Sequence, residues 1–339
     1  MVGAIALVAC GSSKETASTD NDTTTDLAAK YAKTITAKDL GKHLFIYASD
    51  EFEGRNTGEP GQKKAVKYLK DFYVSQGIAS PLGGDDYFQE VPSEYLSNNR
   101  RGMTLKDSEN VLAYIKGTEK PDEIIVISAH LDHEGIKDGE IYNGADDDGS
   151  GTVAILEIAE AFKQAADAGK GPKRSILFLH VTGEEKGLLG SKYYTENPIF
   201  PLANTVSNLN IDMIGRVDDR HKGNPNYVYL IGSDKLSTEL HNISEAMNKK
   251  YTNIDLDYKY NDDNDPNRFY YRSDHYNFAK HNIPIIFYFN GTHADYHRPT
   301  DTPDKINYEM LENRARLVFH TAWEVANREN RVVVDKAAN

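Results

Sequence analysis

The 339-residue sequence predicts an α/β fold in which helices cover both faces of a largely parallel sheet. Two observations predict it: apolar runs of strand length alternate with stretches of helical spacing, and no internal repeat or long linker interrupts them. Strands of a parallel sheet need crossover connections, which are mostly helices that pack on the sheet. We therefore expect one domain from residue 27 to residue 334, followed by a short tail at residues 335–339.

The individual elements are predicted from their apolar patterns. Two helix-like patterns flank the loop at 49–61, and the second has apolar residues at helical spacing from 62 to 76. Short runs rich in Ile, Val, Leu and Phe are typical of buried strands. The predicted strands are 110–115, 123–129, 174–181, 206–212, 227–231 and 283–289. The predicted helices after 62–76 are 152–166, 189–195, 236–250 and 307–327.

Composition excludes several classes of protein. Lys and Arg number 39 and Asp and Glu number 52, so the net charge is −13, which excludes nucleic acid and anionic membrane surfaces as expected partners. The single cysteine excludes an intramolecular disulfide framework and any multi-cysteine zinc or iron–sulfur site. No apolar run approaches the roughly 20 residues that span a bilayer.

The N-terminal segment predicts a lipoprotein. Residues 7–10, Leu-Val-Ala-Cys, fit a bacterial lipobox, in which Cys10 is acylated and residues 1–9 are the remnant of a signal peptide. Residues 11–26 contain almost no apolar side chains, so we interpret residues 10–26 as an anchor and a disordered tether. We then expect a protein at the bacterial cell envelope that touches the membrane only through its lipid. The alternative is a lone buried cysteine near a disordered end.

Titratable side chains follow five of the predicted strands or strand–helix junctions. They are His130 and Asp132, the aspartates at 146–148, Glu184 and Glu185, Asp212, and His297. Functional groups of open α/β sheets gather at the carboxyl ends of strands, so we expect these side chains to converge. Five acidic groups that converge without cations would repel each other, and the set therefore indicates a metal site.

The ligand chemistry favours zinc, with manganese or cobalt as possible substitutes. Imidazole nitrogens and carboxylate oxygens without thiolates are typical of catalytic zinc, and the set contains too much imidazole for calcium or magnesium. Two imidazoles and at least three carboxylates exceed the ligands of one zinc ion. Two ions about 3.5–4 Å apart and bridged by a carboxylate would use them all. We therefore predict two Zn²⁺ ions.

Spacing indicates two supporting roles. Neighbouring side chains point in different directions, so one of Glu184 and Glu185 can bind metal while the other acts as general base. Asp132 lies two residues after His130, on the same side of an extended segment. Its carboxylate is therefore predicted to hold the other ring nitrogen of His130.

As a set, these motifs resemble the co-catalytic zinc metallopeptidases of the bacterial leucyl aminopeptidase and glutamate carboxypeptidase type. The segments that carry the resemblance, in order, are HLFIYASDEFEGRNTGEPG, AHLDHEG, IYNGADDDGSG, VTGEEKGLLGS, NLNIDMIGR, SDHYNF and GTHADYHRPTDTPDKI. The resemblance implies a single three-layer α/β/α domain with a mixed sheet of about eight strands. It also implies a metal-dependent exopeptidase, an aminopeptidase that releases N-terminal residues of peptides by means of a water held between two zinc ions. We expect a monomer.

The resemblance also assigns roles to single residues. The implied ligands are Asp147 for both ions, His130 and Asp212 for one ion, and Glu185 and His297 for the other. Glu184 would be the general base, and Asp132 would orient His130. The choice of Asp147 within 146–148 rests on the family pattern, because spacing does not distinguish the three aspartates.

Two alternative functions stay open. Glutaminyl cyclases of the same family use one zinc ion and usually have Ser after the ligand aspartate, where this chain has Asp148. A non-catalytic lipoprotein that captures peptides or metal would keep the fold without the chemistry, although such relatives usually lose ligands. Metal content and turnover of an aminoacyl reporter distinguish these alternatives from a two-zinc peptidase.

Several other residues and segments have both a functional and a simpler structural interpretation. His133 is interpreted as a surface or supporting histidine, with pocket lining as the alternative, and His180 as a core histidine with one hydrogen bond. Ser273-Asp274-His275 is not interpreted as part of a serine hydrolase, because the chain lacks the Gly-x-Ser-x-Gly elbow. The resemblance implies that this segment lies near the substrate pocket, with Asp274 and His275 as candidates for positioning. The acidic loop 261–265 is interpreted as solvated, with calcium binding as the alternative. Tyr296 is a candidate for contact with a tetrahedral intermediate.

Overall fold

A computed structural model describes Met1, Gly3 and residues 26–98 and 102–336. The predicted lipobox with Cys10, most of the predicted tether and residues 337–339 lie outside the described residues. The helices within them are α1 (Leu27–Ala32), α2 (Ala37–Tyr47), α3 (Pro60–Ser75), α4 (Ser93–Ser97), α5 (Gly151–Asp167), α6 (Leu189–Glu196), α7 (Thr238–Met247), α8 (His275–Ala279) and α9 (Tyr308–Asn327). The strands are β1 (Phe88–Val91), β2 (Ser108–Ile115), β3 (Lys120–His130), β4 (Gly135–Lys137), β5 (Glu140–Tyr142), β6 (Arg174–Val181), β7 (Thr205–Ile211), β8 (Tyr227–Ile231), β9 (Asp255–Asp257) and β10 (Ile285–Phe289).

Eight strands form one mixed sheet in the order β1-β2-β6-β3-β7-β10-β8-β9, and β4 pairs with β5 in a separate hairpin. The four central strands β6, β3, β7 and β10 are mutually parallel, and β9 is parallel to β8. The antiparallel pairs are β1 with β2, β2 with β6, and β10 with β8. The predicted α/β fold with a mixed, largely parallel sheet of about eight strands is confirmed.

The sheet is buried on both faces because alternate residues of its strands pack into different apolar clusters. In β3, Ile125 and Ile127 belong to a large cluster that also contains residues of α2, α3, α5 and α9. Ile124 and Val126 point to the other face, where α6 and α8 contribute Tyr194 and Phe278. Every residue of β6 and of β7 is buried. These buried strands fix the positions of the loops that follow them.

Element boundaries differ from the predicted ones where a local signal overrides the apolar pattern. The strand predicted from 283 begins only at Ile285, after Pro284, which has no backbone N–H for a ladder hydrogen bond. The helix predicted to continue to residue 250 ends at Met247, and a wider turn at 248–252 carries the chain to Asn253 in the left-handed conformation. None of the helices in the described ranges combines the length and the apolar composition needed to cross a bilayer.

Candidate metal centre

The predicted site residues come together at one edge of the sheet, where the central parallel strands end. His130 is the last residue of β3, Glu185 follows the end of β6 by four residues, and Asp212 follows β7 directly. Asp147 comes from the turn that opens α5, and His297 from the loop after β10. All of these side chains except that of His297 are at least nine-tenths buried, and His297 is partly exposed. The five residues therefore form one cluster, as strand-end placement predicts.

Asp147 lies between two imidazoles. Its Oδ1 is 3.0 Å from Nε2 of His130, and its Oδ2 is 2.9 Å from Nε2 of His297. Asp212 Oδ1 is 3.7 Å from the same nitrogen of His130, and Glu185 Oε1 is 3.3 Å from that of His297. The cluster thus consists of two imidazole–carboxylate pairs that share one carboxylate.

The three consecutive aspartates have different partners. Asp148 accepts hydrogen bonds from three backbone amides at 3.0–3.1 Å, and Asp146 accepts one from a backbone amide at 2.7 Å and one from a side-chain amide at 3.1 Å. The amide donors are His130, Gly151 and Met213 for Asp148, and Gly215 and Asn290 for Asp146. Within the described part of the chain, the carboxylate of Asp147 has imidazoles alone as partners. Asp148 also lies close to His130 and Asp212, but its oxygens already accept three backbone amides, whereas those of Asp147 face imidazoles.

The ring of His130 is oriented by the backbone rather than by a carboxylate. Its Nδ1 lies 3.0 Å from the carbonyl oxygen of Asp132, whereas the Asp132 carboxylate is 3.9 Å away. A carbonyl accepts only, so Nδ1 carries the proton and Nε2 presents its lone pair to Asp147. Two acceptors 3.0 Å apart need a cation, and this arrangement fits a divalent metal ion.

The Asp132 carboxylate connects two other segments. Its Oδ1 accepts the backbone N–H of Glu184 at 3.1 Å, and its Oδ2 accepts the hydroxyl of Thr57 at 2.7 Å. Asp132 therefore holds the backbone of the Glu184–Glu185 pair against the end of β3. The predicted contact of this carboxylate with the His130 ring is replaced by the carbonyl of the same residue.

His133 lies inside the cluster, so its interpretation as a surface histidine is wrong, whereas its contact with a predicted ligand fits the interpretation as a supporting histidine. The residue is 0% exposed, and its Nδ1 is 3.0 Å from Glu185 Oε1 and 3.9 Å from Asp147 Oδ2. The ring packs edge to face with that of His297, with centroids 5.7 Å apart. It also lies against Gly144, where a Cβ would approach the ring to 2.4 Å. His133, Asp147 and Glu185 offer three ligand atoms within 4.8 Å of one another.

Two further carboxylates, those of Glu134 and Asp301, support the cluster without having been singled out in the sequence. Glu134 Oε1 lies 3.7 Å from Nδ1 of His297, and Asp301 Oδ2 accepts the backbone amides of residues 146 and 147 at 3.0 and 3.2 Å. Ser273 donates to Asp212 Oδ2 at 2.6 Å. The available signal for Glu134 is its place in the unbroken run His-Leu-Asp-His-Glu at 130–134. Asp301 stands four residues after His297 in the same loop.

Arg55 joins the loops that carry the ligands. This buried residue lies in the loop 49–61, and its guanidinium donates to the carbonyls of Leu131, Asn143 and Gly144 at 3.1, 2.6 and 2.9 Å. It also donates to the carbonyl of Tyr47 at 3.2 Å. The loop after β3 and the turn before Asp147 are thereby tied to one side chain. This contact gives the 49–61 motif a structural role.

Glu184 faces a cavity beside the cluster. The cavity measures about 340 Å³, and Asp147, Glu184 and Asp212 line part of its wall together with Tyr296. Burial raises the pKa of Glu184 well above its usual range, and the nearby carboxylates of Glu185 and Asp212 raise it further. A carboxyl group with a raised pKa accepts a proton readily, and this one stands at the wall of the cavity.

The structure also places His180, Ser273 and the acidic loop 261–265. His180 is buried in β6, and its Nε2 is 2.6 Å from the hydroxyl of Tyr73, which confirms a core histidine with one hydrogen bond. Ser273 contacts Asp212 and lies 2.9 Å from Asn210, so it is not arranged as a nucleophile with His275. In the acidic loop 261–265, carboxylates accept backbone amides of the same loop or pair with a lysine.

Comparison with known families gives one match that covers most of the chain. The model described as "Peptidase family M28" matches residues 110–322, which include the predicted ligands and the predicted base. Leupeptin-inactivating enzyme 1 of Streptomyces exfoliatus is 28% identical over 303 residues, which is 83% of this chain and 59% of that enzyme. A probable zinc metalloprotease of Pyricularia oryzae is 34% identical over 41% of this chain and 27% of its own length. The chain thus spans less than two thirds of these curated relatives.

Solved structures have the same fold. The Legionella pneumophila LapA aminopeptidase superposes with a TM-score of 0.67 at 22% identity, covering 89% of this chain and 75% of that one. BSAP, a zinc aminopeptidase from Bacillus subtilis, has a TM-score of 0.66 at 17% identity and covers 89% and 98%. The eight-stranded sheet and its helices therefore form a fold in which zinc-dependent peptidases are known.

Proposed function

From the premise that the chain belongs to peptidase family M28, we propose that it is a zinc metallopeptidase with two ions, and specifically an aminopeptidase. Residues 27–334 would form its catalytic domain. The observation that carries the proposal is the position of Asp147, whose two oxygens face His130 at 3.0 Å and His297 at 2.9 Å. Two imidazole–carboxylate pairs that share one carboxylate offer more ligands than one zinc ion uses, and they match the ligands of two ions.

The proposed ligands divide into two groups. His130, Asp212 and the shared Asp147 hold one ion, and Glu185, His297 and Asp147 hold the other. Their donor set of imidazole and carboxylate without thiolate suits zinc, and also manganese or cobalt. When bound, the ions supply a Lewis acid for the scissile carbonyl and lower the pKa of the attacking water.

The chain itself supplies proton transfer and positioning. Glu184 accepts a proton from the attacking water and returns it to the departing amine, so that the proton count balances at the end of the reaction. Asp132 holds the backbone of Glu184 through the 3.1 Å hydrogen bond. Asp301 and Arg55 hold the turn before α5 from its two ends. These contacts preorganise the site before substrate binds.

Carboxylates at the cavity wall favour a substrate with a free N-terminal amine. The cavity wall beside the cluster contains Asp147, Glu184 and Asp212, so a free α-amine is attracted to this side. An internal peptide segment has no such cation to place there.

The test combines metal content with turnover. Elemental mass spectrometry of the purified protein should give two equivalents of zinc, and leucyl-p-nitroanilide should be hydrolysed in a chelator-sensitive way. One zinc without turnover would point to the cyclase alternative, which an N-terminal glutamine peptide tests directly. Absence of zinc would contradict the metal centre and leave a binding protein as the interpretation.

The role of Glu184 is tested separately. Glu184→Gln should keep both zinc equivalents and lose about 10²- to 10⁴-fold in kcat, the usual contribution of a general base. The matched control is Glu140→Gln, the same chemical change at an exposed position of the β4–β5 hairpin. Full activity of the metal-loaded Glu184→Gln variant would show that another group moves the proton.

We further propose that Cys10 carries a lipid that holds the enzyme at a bacterial cell envelope. The support is the sequence Leu-Val-Ala-Cys at 7–10 and the polar segment at 11–26 that follows it. In a bacterial host, the native chain should be recovered in the membrane fraction and Cys10→Ser in the soluble fraction. Equal distribution of both proteins would contradict the anchor.

A further inference from the structure

The cavity beside the metal centre has walls of two kinds. Part of its wall is acidic and consists of Asp147, Glu184 and Asp212. Another part is aromatic and includes Phe287 and Phe289. A ligand that fills the cavity therefore meets the reacting groups through one part of its surface and an apolar wall through another.

The same wall contains one cation among the described residues, Arg272. Its guanidinium carbon lies 4.7 Å from the centroid of the Phe269 ring, and its Nη2 lies 3.5 Å from the hydroxyl of Tyr296. No ion pair involves Arg272 in the described part of the chain, whereas nearby Arg216 pairs with Asp295 at 2.7 Å. Arg272 is thus held at the cavity by uncharged groups alone.

The contact with Phe269 leaves the hydrogen-bond donors of Arg272 available. A guanidinium that lies over an aromatic ring uses its face, while its N–H groups point outward in its own plane. Those in-plane donors match the geometry of a carboxylate, which they can bind through two parallel hydrogen bonds. Phe269 contacts the guanidinium of Arg272 and Tyr296 accepts from its Nη2 at 3.5 Å, which leaves the other N–H groups of Arg272 for a ligand.

The negative charge of the whole chain makes a local cation important for binding an anionic group. The net charge is −13, so the field of the whole chain opposes the approach of an anionic group. A carboxylate of a substrate needs a cation within reach, and Arg272 is the cavity residue that provides it.

We propose that Arg272 binds a carboxylate of the peptide substrate at this cavity. The proposal rests on the proposed peptidase function and adds a substrate class to it: short peptides that carry a carboxylate close to the scissile bond. Two groups have this chemistry, the side chain of an acidic N-terminal residue and the C-terminal carboxylate of a dipeptide. Arg272 is a specificity residue and takes no part in the bond cleavage.

The experiment measures binding rather than turnover. Zinc-loaded Glu184→Gln protein is titrated by calorimetry with Leu-Gly, Leu-Gly-amide and Glu-Gly-amide. Only Leu-Gly-amide lacks a carboxylate, and the other two carry it at different ends. A carboxylate-bearing peptide should bind about tenfold tighter than Leu-Gly-amide, the lower range for a charged hydrogen bond at an exposed group. The advantage should shrink as salt is added.

Arg272→Gln in the same background should remove this tenfold advantage and leave the affinity for Leu-Gly-amide unchanged. Arg272→Lys should keep only part of it, because an ammonium cannot form the planar pair of hydrogen bonds. The matched control is Arg268→Gln, a guanidinium of the same segment that lies over Tyr271 and outside the cavity. It should bind all three peptides like the background protein.

The peptide that binds more tightly than Leu-Gly-amide shows which carboxylate Arg272 recognises. A preference confined to Leu-Gly indicates recognition of the C-terminal carboxylate, and a preference confined to Glu-Gly-amide indicates an acidic N-terminal side chain. Equal affinities for all three peptides, an equal loss for all three in Arg272→Gln, or no measurable binding of either carboxylate-bearing peptide would overturn the proposal. Failure of the wild-type protein to hydrolyse leucyl-p-nitroanilide would instead overturn the proposed function, because it is measured on a substrate without a carboxylate.

Discussion

At the scale of the residue, the three aspartates at 146–148 show how neighbours of identical chemistry acquire different roles. Asp148 accepts three backbone amides, and Asp146 accepts two amide donors and lies 3.1 Å from Nε2 of His293. Asp147 instead lies between the imidazoles of His130 and His297. The turn places them in this way because Gly144 precedes it with φ +54, where a Cβ would meet the carbonyl oxygen of Asp147 at 2.2 Å. The backbone of the turn therefore decides which carboxylate is available.

We expect Asp147→Asn and Asp148→Asn to fail in different ways. Asp147→Asn should lose both zinc equivalents and keep most of its apo stability, because no amide depends on that carboxylate. Asp148→Asn places an NH₂ group against backbone donors and should lower the free energy of unfolding by about 2–4 kcal/mol. Metal analysis and thermal unfolding of both apo proteins check this. Equal metal loss with equal Tm in the two variants would contradict the distinction.

His133 should influence one ion more than the other. Its Nδ1 is 3.0 Å from Glu185, while the His130–Asp212 pair does not involve it. His133→Ala should therefore weaken the second zinc equivalent about 10- to 100-fold and leave the first nearly unchanged. Competition with a chromophoric chelator measures the two affinities. His281→Ala, at an exposed position, is the control. Parallel weakening of both equivalents would show that His133 acts on the fold rather than on one ion.

Glu157 on α5 predicts a pH dependence of stability away from the metal centre. It is 2% exposed, and burial raises its pKa to about 8, with the charges of Glu160 and Asp39 adding to the rise. Below the unfolded-state pKa of about 4.5, the Glu157 carboxyl group is protonated in both the folded and the unfolded state and does not change the free energy of unfolding. Between that pH and pH 8 only the unfolded state loses the proton, so the free energy of unfolding falls as the pH rises.

Glu157→Gln should accordingly match the wild-type Tm near pH 4 and exceed it at pH 8. The difference should grow by up to about 1.4 kcal/mol per pH unit between these limits. Thermal unfolding of both proteins over this pH range checks the prediction, and Glu140→Gln serves as the exposed control. A difference that is constant with pH would mean that Glu157 does not change its protonation in this window.

At the scale of the element, the loops that carry the ligands are connected through the 3₁₀ segment Asp50–Arg55. Arg55 donates to the carbonyls of Asn143 and Gly144, where the turn before α5 begins, and to that of Leu131 after β3. Asp50 accepts the side-chain amide of Asn143 at 2.6 Å. The β4–β5 hairpin within this stretch is separate from the main sheet. Arg55 therefore contributes to the order of these loops by connecting them to the segment at 50–55.

Arg55→Met should loosen these loops and speed the loss of metal. The change removes four hydrogen bonds to buried carbonyls, each of which costs about 1–3 kcal/mol when its acceptor is left unpaired. We expect a Tm drop of several degrees and faster zinc release to a chelator. Hydrogen exchange should rise at residues 131–144 in particular. Arg220→Gln, which removes an exposed contact with Asp257, should change none of these. Unaltered exchange at 131–144 in Arg55→Met would count against the role.

At the scale of the whole molecule, the central sheet and the strand-end cluster could be predicted, because both follow from apolar runs. β3, β6 and β7 are continuous and buried, so their ends and the side chains after them were legible in the sequence. β1 and β9 were missed, because these edge strands are short and contain polar residues such as Glu90 and Asp255. Periodicity has little signal in strands of three or four residues.

The parts of the site that could not be predicted depend on contacts between distant segments. The burial of His133 follows from its packing against Gly144 and His297, and neither contact has a local signature. The link from Arg55 to the ligand loops spans 76–89 positions of sequence. Arg272 lies in a stretch without regular periodicity, and its place in the cavity is visible only once Phe269 and Tyr296 are packed beside it.

Metal removal should destabilise the whole domain, because the proposed ions connect the ends of three central strands with two loops. A ligand that binds the folded state alone adds RT ln(1 + [L]/Kd), about 4 kcal/mol at a thousandfold excess over Kd. Without cations, the converging carboxylates repel one another and add to the loss. Chelation should therefore lower Tm by several degrees, and added zinc should restore it. Asp147→Asn should show neither response, because its shared ligand is gone. A wild-type Tm that does not change on chelation would mean that the strand ends are held by the hydrogen bonds of Asp148, Asp301 and Arg55 alone.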